Sequence, residues 1–280
     1  MKKIKIVTDS TVDLSEELVE KYGLEIVPLA ITIDGETFMD RIDINAKDFI
    51  KRMSEANELP KSSQPSTGAF LEVYDRLGDE GYEIISIHMT GGMSGTVRSA
   101  ESAAQMSKSN VTVVDSRYIS LALSFQVIEA AKMASEGKGT DEILERLDVI
   151  RSNTRLFIMV DTLENLAKGG RIGKGRAMIG SLLNIKPIAS LEGGEYTPVA
   201  KVRSHSQVVK YLSKQIVEDV KGKTIKGVGL VHAEGYELAS KVKEEITKLT
   251  GYTDIDISYT TPTISTHTGA GTIALMYYFD

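Results

Sequence analysis

The stretch YEIISIHMTGGMSGTVRSAESAAQMSKSNVTVVDS, residues 82–116, holds strand, loop, helix and strand in one pass. Tyr82 to Ile87 is a short apolar run of the kind shown by a strand buried on both faces. Gly91-Gly92-Met93-Ser94-Gly95-Thr96 interrupts it as a loop. Ala100, Ala103 and Ala104 give the small face of a helix, and Val111 to Val114 return to strand before Asp115-Ser116. This alternation predicts a largely parallel sheet with helices on both faces.

Working outward, Ile4 to Val7 reads as a buried strand, and Asp13 with Glu16 fits a capping box for a helix running to Gly23. Ile26 to Ile33 alternates as a strand and meets a hairpin signal at Asp34-Gly35. Asn45 is placed to cap a helix bearing Phe49 and Met53. Pro60 to Ser66 is a loop, and Ser66 caps a helix with Phe70 and Tyr74. Helical patterns cover 121–134 and 141–151, the second capped by Thr140. Composition shifts near Asn153. Strands at 156–160, 187–191, 198–202 and 227–231 follow, with helices at 207–220 and 238–249. The expectation is an α/β protein of two domains, residues 1–152 and 153–280, with mostly parallel sheets flanked by helices.

Composition removes several function classes. A net charge of −6 opposes nucleic-acid binding, which calls for a basic excess. The absence of cysteine removes disulfides, thiolate metal sites and thiol nucleophiles. No apolar run approaches the roughly 20 residues of a membrane span, so stable membrane insertion is not expected. The opening MKKIKIVTDS is too short in apolar residues for a signal peptide, which predicts a cytoplasmic protein.

The GGMSGT loop follows a strand and opens a helix. Its backbone amides are expected to converge where a helix N-terminus favours negative charge, with Ser94 and Thr96 adding hydroxyls. A plain serine-capped turn is the simpler alternative. Ser62 and Ser63 are further hydroxyl donors in the SSQPS loop. Of four histidines, His88, His205 and His232 sit where structural roles are common. His267 lies within Thr266-His267-Thr268-Gly269-Ala270-Gly271, whose small residues leave its ring accessible. GGRIGKGR lacks the Ser or Thr that follows the lysine of a phosphate loop, and GAGTIA has too little chain after it for a dinucleotide fold. No cluster has metal-ligand spacing. Lys168, Arg171, Lys174, Arg176, Lys186, Lys201 and Arg203 concentrate positive charge on an acidic chain, as a solvated loop or as a docking surface. Ser94, Asp115 and His267 also occur in the order of an α/β-hydrolase triad, although Thr96 stands where the nucleophile elbow needs glycine.

Taken together, TDSTVDL (8–14), SSQPSTGAF (62–70), GGMSGTVRSA (91–100), VVDS (113–116), TLENLAKGGRIGK (162–174), LLNIKPI (182–188) and HTGAG (267–271) resemble the DegV family. That group includes the fatty acid-binding subunit of bacterial fatty acid kinase. The resemblance implies two α/β domains with an apolar tunnel between them. It implies a bound long-chain, palmitate-like fatty acid, with no cofactor, and a carboxylate held by Ser62, Ser94 and His267, with Ser63 and Thr96 as further donors. It also implies that Arg171 and Arg203, with Lys174, face a separate kinase subunit rather than the lipid. The kinase would form an acyl-phosphate that feeds phospholipid synthesis, and the chain itself would not be an enzyme. Family members often carry proline where Ala270 stands. A serine hydrolase built on Ser94, Asp115 and His267 is the rival expectation.

Overall fold

The computed structural model describes residues 3–178 and 185–280. Its first sheet gathers β1 (Ile4–Asp9), β2 (Glu25–Val27), β6 (Glu83–His88) and β7 (Val111–Asp115) in the order β2-β1-β6-β7, all parallel. Helices α1 (Glu16–Tyr22), α3 (Thr67–Asp79), α4 (Thr96–Met106), α5 (Ser120–Ser135) and α6 (Thr140–Asn153) accompany it. Ile85 and Ile87 point to one core with Leu123 and Val127. Ile84 points to another with Phe70 and Tyr74. Burial on both faces matches the largely apolar run at 82–87, in which adjacent Ile84 and Ile85 face opposite sides.

The expected strand 26–33 is two strands. Pro28 has no N–H to give a ladder, and the chain changes sheet there. β3 (Ala30–Ile33) instead pairs antiparallel with β4 (Glu36–Met39) across the Asp34-Gly35 turn, and with β5 (Lys61–Ser63). So the loop expected at 60–66 contains a strand. Asn45 and Ser66 cap α2 (Ala46–Glu55) and α3 as expected, accepting from Asp48 N and Ala69 N. Two other caps differ. Ser15 caps α1, and Gly139 begins α6, with the Glu142 side chain accepting from its N–H. Thr140 Oγ1 instead donates to Glu83.

The second sheet runs β10-β9-β8-β13-β11-β12, from β8 (Thr154–Met159), β9 (Lys186–Ser190), β10 (Thr197–Val202), β11 (Ile225–Ala233), β12 (Ile255–Tyr259) and β13 (Thr272–Phe279). Only β11–β12 is parallel, so the mostly parallel expectation fails here. The reason is β13. This last strand, beyond the final element read from the sequence, enters the middle of the sheet and runs against both β8 and β11. Helices α8 (His205–Asp219) and α9 (Tyr236–Thr250) cover one face. The short helices α7 (Glu164–Lys168) and α10 (Pro262–Thr268) pack on each other, and α10 also meets α2, β3 and β5. The LLN of LLNIKPI (182–184) lies outside the described residues.

Asp13, expected in a helix cap, is partly buried and fastens the start of α10 to the first sheet. Its carboxylate accepts from Thr260 Oγ1 (2.8 Å), Thr261 N (3.0 Å) and Ser120 Oγ. Nearby, Arg41 donates to the carbonyls of Val12 and Leu14, and buried Asp40 accepts from Ser10. Burial pushes both carboxyls up to about 6, and their polar neighbours and the Arg41 charge offset this only in part. The folded chain therefore takes up these protons before the unfolded chain does. Their stabilising contribution is complete below about pH 4 and is lost as pH rises through 6. We expect the stability of the wild type relative to Asp40→Asn to fall by up to about 3 kcal/mol between pH 4 and pH 7. Urea titrations across that range measure this, and a difference independent of pH would refute it.

Candidate functional site

Strand alternation in β5 turns Ser62 inward and leaves Ser63 exposed, so only Ser62 reaches the interior. Its Oγ lies 2.7 Å from His267 Nε2, in the last turn of α10. His267 is thus carried by a helix end rather than by the glycine loop after it. Its Nδ1 is buried without a partner, against the Cα of Gly169. Burial, then the nearby Arg171 charge, lowers the imidazole to about 4, so the ring is neutral at physiological pH.

The GGMSGT loop does not offer the cluster of amides expected of it. Gly91 N donates to Asp115, Gly92 N to Thr90 Oγ1, Met93 N and Ser94 N to Thr90 O, and Thr96 N to Ser94 Oγ. What remains is the Ser94 hydroxyl, on the cavity wall and 2.8 Å from Thr96 Oγ1. Thr96 is itself buried and does not line the cavity, so it positions Ser94. Gly95 lets the Gln64 amide lie close against the loop, since a Cβ there would be 2.6 Å from the amide carbon and would displace that side chain.

Arg171 was expected to face a partner, yet it lines the cavity. Its Nε donates to Met93 O (3.1 Å) and its Nη1 to Gly169 O (2.6 Å). Among the described residues, those two bonds use only part of the guanidinium fork. Lys174 and Arg203 are exposed, and Arg203 N donates to Gln207 Oε1. Gly173 and Gly175, in the segment whose sequence already fails as a phosphate loop, seat Tyr196. A Cβ at either would press on its backbone or ring.

Ser62, Gln64, Ser94, Arg171 and His267 are among the polar residues lining this cavity. Met89, Met93, Ile119, Leu156, Ile158 and Leu191 are among the apolar walls. The volume is about 50 Å³, room for a few water-sized molecules. A longer occupant must part the walls, and unbranched Met89 and Met93 are suited to yielding. Sequence reasoning missed Gln64 and Tyr196. Gln64 sat visibly between Ser63 and Pro65, but no local pattern distinguishes a wall tyrosine. The Tyr196 hydroxyl is buried without a partner, and burial raises its pKa.

The hydrolase triad is not assembled. His267 bonds Ser62 rather than Ser94, while the Asp115 carboxylate accepts from Gly91 N and Arg117 N. A different Ser–His–Asp chain does exist, in which Ser86 and Asp9 bond His88, with Tyr74 donating to Ser86. All four residues are fully buried, and Asp9 also accepts from Met89 N and Thr11 N, which makes the chain a support for two cavity residues. Among the described residues, no His, Asp and Glu cluster could hold a metal and no helix is long and apolar enough to cross a membrane.

The class defined by fold and site is therefore an α/β protein with a mainly apolar cavity that gathers Ser62, Ser94, Arg171 and His267 in its lining. The DegV family profile matches residues 3–280, and the chain belongs to that family. It is 44% identical to a DegV domain-containing protein of Listeria monocytogenes, over all of both chains. Among solved structures it resembles a DegV family protein of Thermus thermophilus described by its fatty acid binding, at TM-score 0.94 and 30% identity over both chains entire. It also resembles DegV of Bacillus subtilis, described as a fatty acid binding protein, at TM-score 0.90 and 32% identity, again over the whole of both chains.

Proposed function

We propose that the protein binds one long-chain fatty acid with its carboxylate among Ser62, Ser94 and His267 and its tail along the apolar walls. The supporting observation is the gathering of these hydroxyls, a neutral imidazole and Arg171 in the lining of a mainly apolar cavity. The fatty acid-binding descriptions of the Thermus and Bacillus proteins support the same reading. Burying an acyl chain gains about 0.8 kcal/mol per methylene, or about 11 kcal/mol for about 14 of them before ordering costs. The tail thus supplies most of the affinity, while the polar groups spare the carboxylate an unpaired burial.

Hydroxyl and imidazole donors leave a carboxylate oxygen nucleophilic. In this reading the protein is a non-enzymatic carrier in the cytoplasm, and a separate kinase transfers phosphate to the presented carboxylate for phospholipid synthesis. Lys174 and Arg203 would dock that kinase. Arg171, at the cavity mouth, would serve the carboxylate as well as the partner. The two sheets would be the centres of two domains meeting near Ser152, with the lipid between them. Native mass spectrometry of protein purified from bacteria should show one co-purified fatty acid. A protein that carries none, and takes up none on incubation, would end this reading. Ser94→Ala should reduce phosphorylation by the kinase more than tail binding. Equal phosphorylation of variant and wild type would remove Ser94 from the site.

A further inference from the structure

A second recess lies on the flank of the six-stranded sheet, outside the lipid cavity. Beyond Ser190 the chain of β9 turns away from β8, so the first residues of β8 have no neighbour on that side. The resulting groove has a volume of about 730 Å³, and its lining includes Arg117, Arg151, Arg155, Ser190, Tyr211 and Gln215. Three arginines line it, from three places in the chain. Arg117 follows β7, Arg151 is in the last turn of α6, and Arg155 is in β8.

Two of the polar groups lining this groove are buried and unsatisfied. Ser190 is 8% exposed and its Oγ has no hydrogen-bond partner, and the Nε of Arg151 is likewise buried and unpaired. Buried hydroxyl and guanidinium groups are rarely left unpaired unless something else completes them. The positive charge is only partly matched within the groove. Arg151 Nη1 pairs with Asp148 at 2.9 Å, and Arg155 Nε lies 3.7 Å from Asp219. Arg117, whose backbone N–H is held by Asp115, has no side-chain ion pair among the described residues. Guanidinium forks suit planar or tetrahedral oxyanions, which they grip in a bidentate manner.

We propose that this groove is a binding site for a small, multiply charged oxyanion, a phosphate or polycarboxylate group, held by Arg117, Arg151 and Arg155 and completed by the Ser190 hydroxyl. The site is independent of the lipid reading. It touches the lipid cavity only through Leu156, which lines both.

Isothermal titration calorimetry of the full chain with inorganic phosphate, pyrophosphate and citrate tests the proposal. At least one should give saturable heat that weakens as sodium chloride is raised. Arg117→Gln and Arg155→Gln should each weaken binding about tenfold or more. Arg155 also packs over the Phe279 ring and donates to the carbonyls of Ser152 and Thr154, whereas Arg117 makes no side-chain bond among the described residues, so Arg117→Gln is the variant expected to leave the fold intact. Ser190→Ala should weaken the anion as well and leave the melting temperature of the ligand-free protein equal or higher, because it removes an unsatisfied buried hydroxyl. Fatty acid uptake should be unchanged in Arg117→Gln. No saturable heat with any of the three anions, or binding that survives both Arg117→Gln and Ser190→Ala undiminished, would overturn the proposal.

Discussion

Replacing Gly169 with alanine is expected to break the hold on the carboxylate while leaving the apolar walls in place. The backbone at Gly169 is ordinary, so the substitution carries no conformational strain. The added Cβ, however, would lie 3.0 Å from His267 Cε1 and closer still to Nδ1. Asn165 O, also 3.0 Å away, blocks retreat on the other side. The imidazole must therefore turn, which separates Nε2 from Ser62. Overpacking of this kind costs about 1–3 kcal/mol of stability. Loss of a hydrogen bond to a charged group should lower fatty acid affinity by roughly tenfold to a hundredfold. The matching fatty alcohol should be affected far less, so the ratio of acid to alcohol affinity is the measurement. Removing the ring as well, in Gly169→Ala with His267→Ala, should cost little more than Gly169→Ala alone, because both act on one contact. A Gly169→Ala protein that keeps the wild-type preference for the acid would show that the His267–Ser62 pair does not hold the carboxylate.

The second large effect is expected at Asp13, more than twenty residues from any proposed ligand-binding side chain in sequence. Its carboxylate receives three donors, two of them from the Thr260-Thr261 entrance to α10, and Arg41 lies close by. Asp13→Ala leaves those donors without their acceptor and removes the negative charge beside Arg41. Breaking a buried charged network of this kind costs about 3–5 kcal/mol. Asp13→Asn, which keeps the shape of the protonated acid, should cost less. Because α10 carries His267, fatty acid affinity should fall together with stability, and amides of α10 should exchange faster than those of the central strand β6. Urea unfolding and hydrogen exchange provide the two readouts. An Asp13→Ala protein of wild-type stability would remove Asp13 as the fastening point.

Legibility of the sequence followed the range of the forces involved. The run at 82–87, the Ala-rich face of α4 and the caps Asn45 and Ser66 are decided by residues a few positions apart, and they appear where the pattern puts them. Asp13 carries the same acidic signal as a cap, but its partners Ser120, Thr260 and Thr261 lie over a hundred residues away. Nothing local could separate the two roles. The same applies to Arg171. It was visible as one of a basic set, and only the meeting of α7, the GGMSGT loop and α10 turns it toward the cavity while Lys174 and Arg203 stay outside.

By itself the sequence determined the α/β class, the buried parallel strands, the DegV motif set and the choice of Ser62, Ser94 and His267 as candidates. The class and the strands rest on periodicity and local turn chemistry. The choice of candidates rests also on the resemblance to the DegV family, and for Ser62 almost wholly on it. Tertiary structure decided the rest. It placed β13 in the middle of an antiparallel sheet, turned Ser62 inward and Ser63 outward, and gave the loop amides to Thr90 and Asp115. It also brought Ser62 within hydrogen-bonding distance of His267, 205 positions away. The physical reason is that a strand's neighbours, and a buried polar group's partners, are set by which apolar faces must cover one another. That condition involves the whole chain at once.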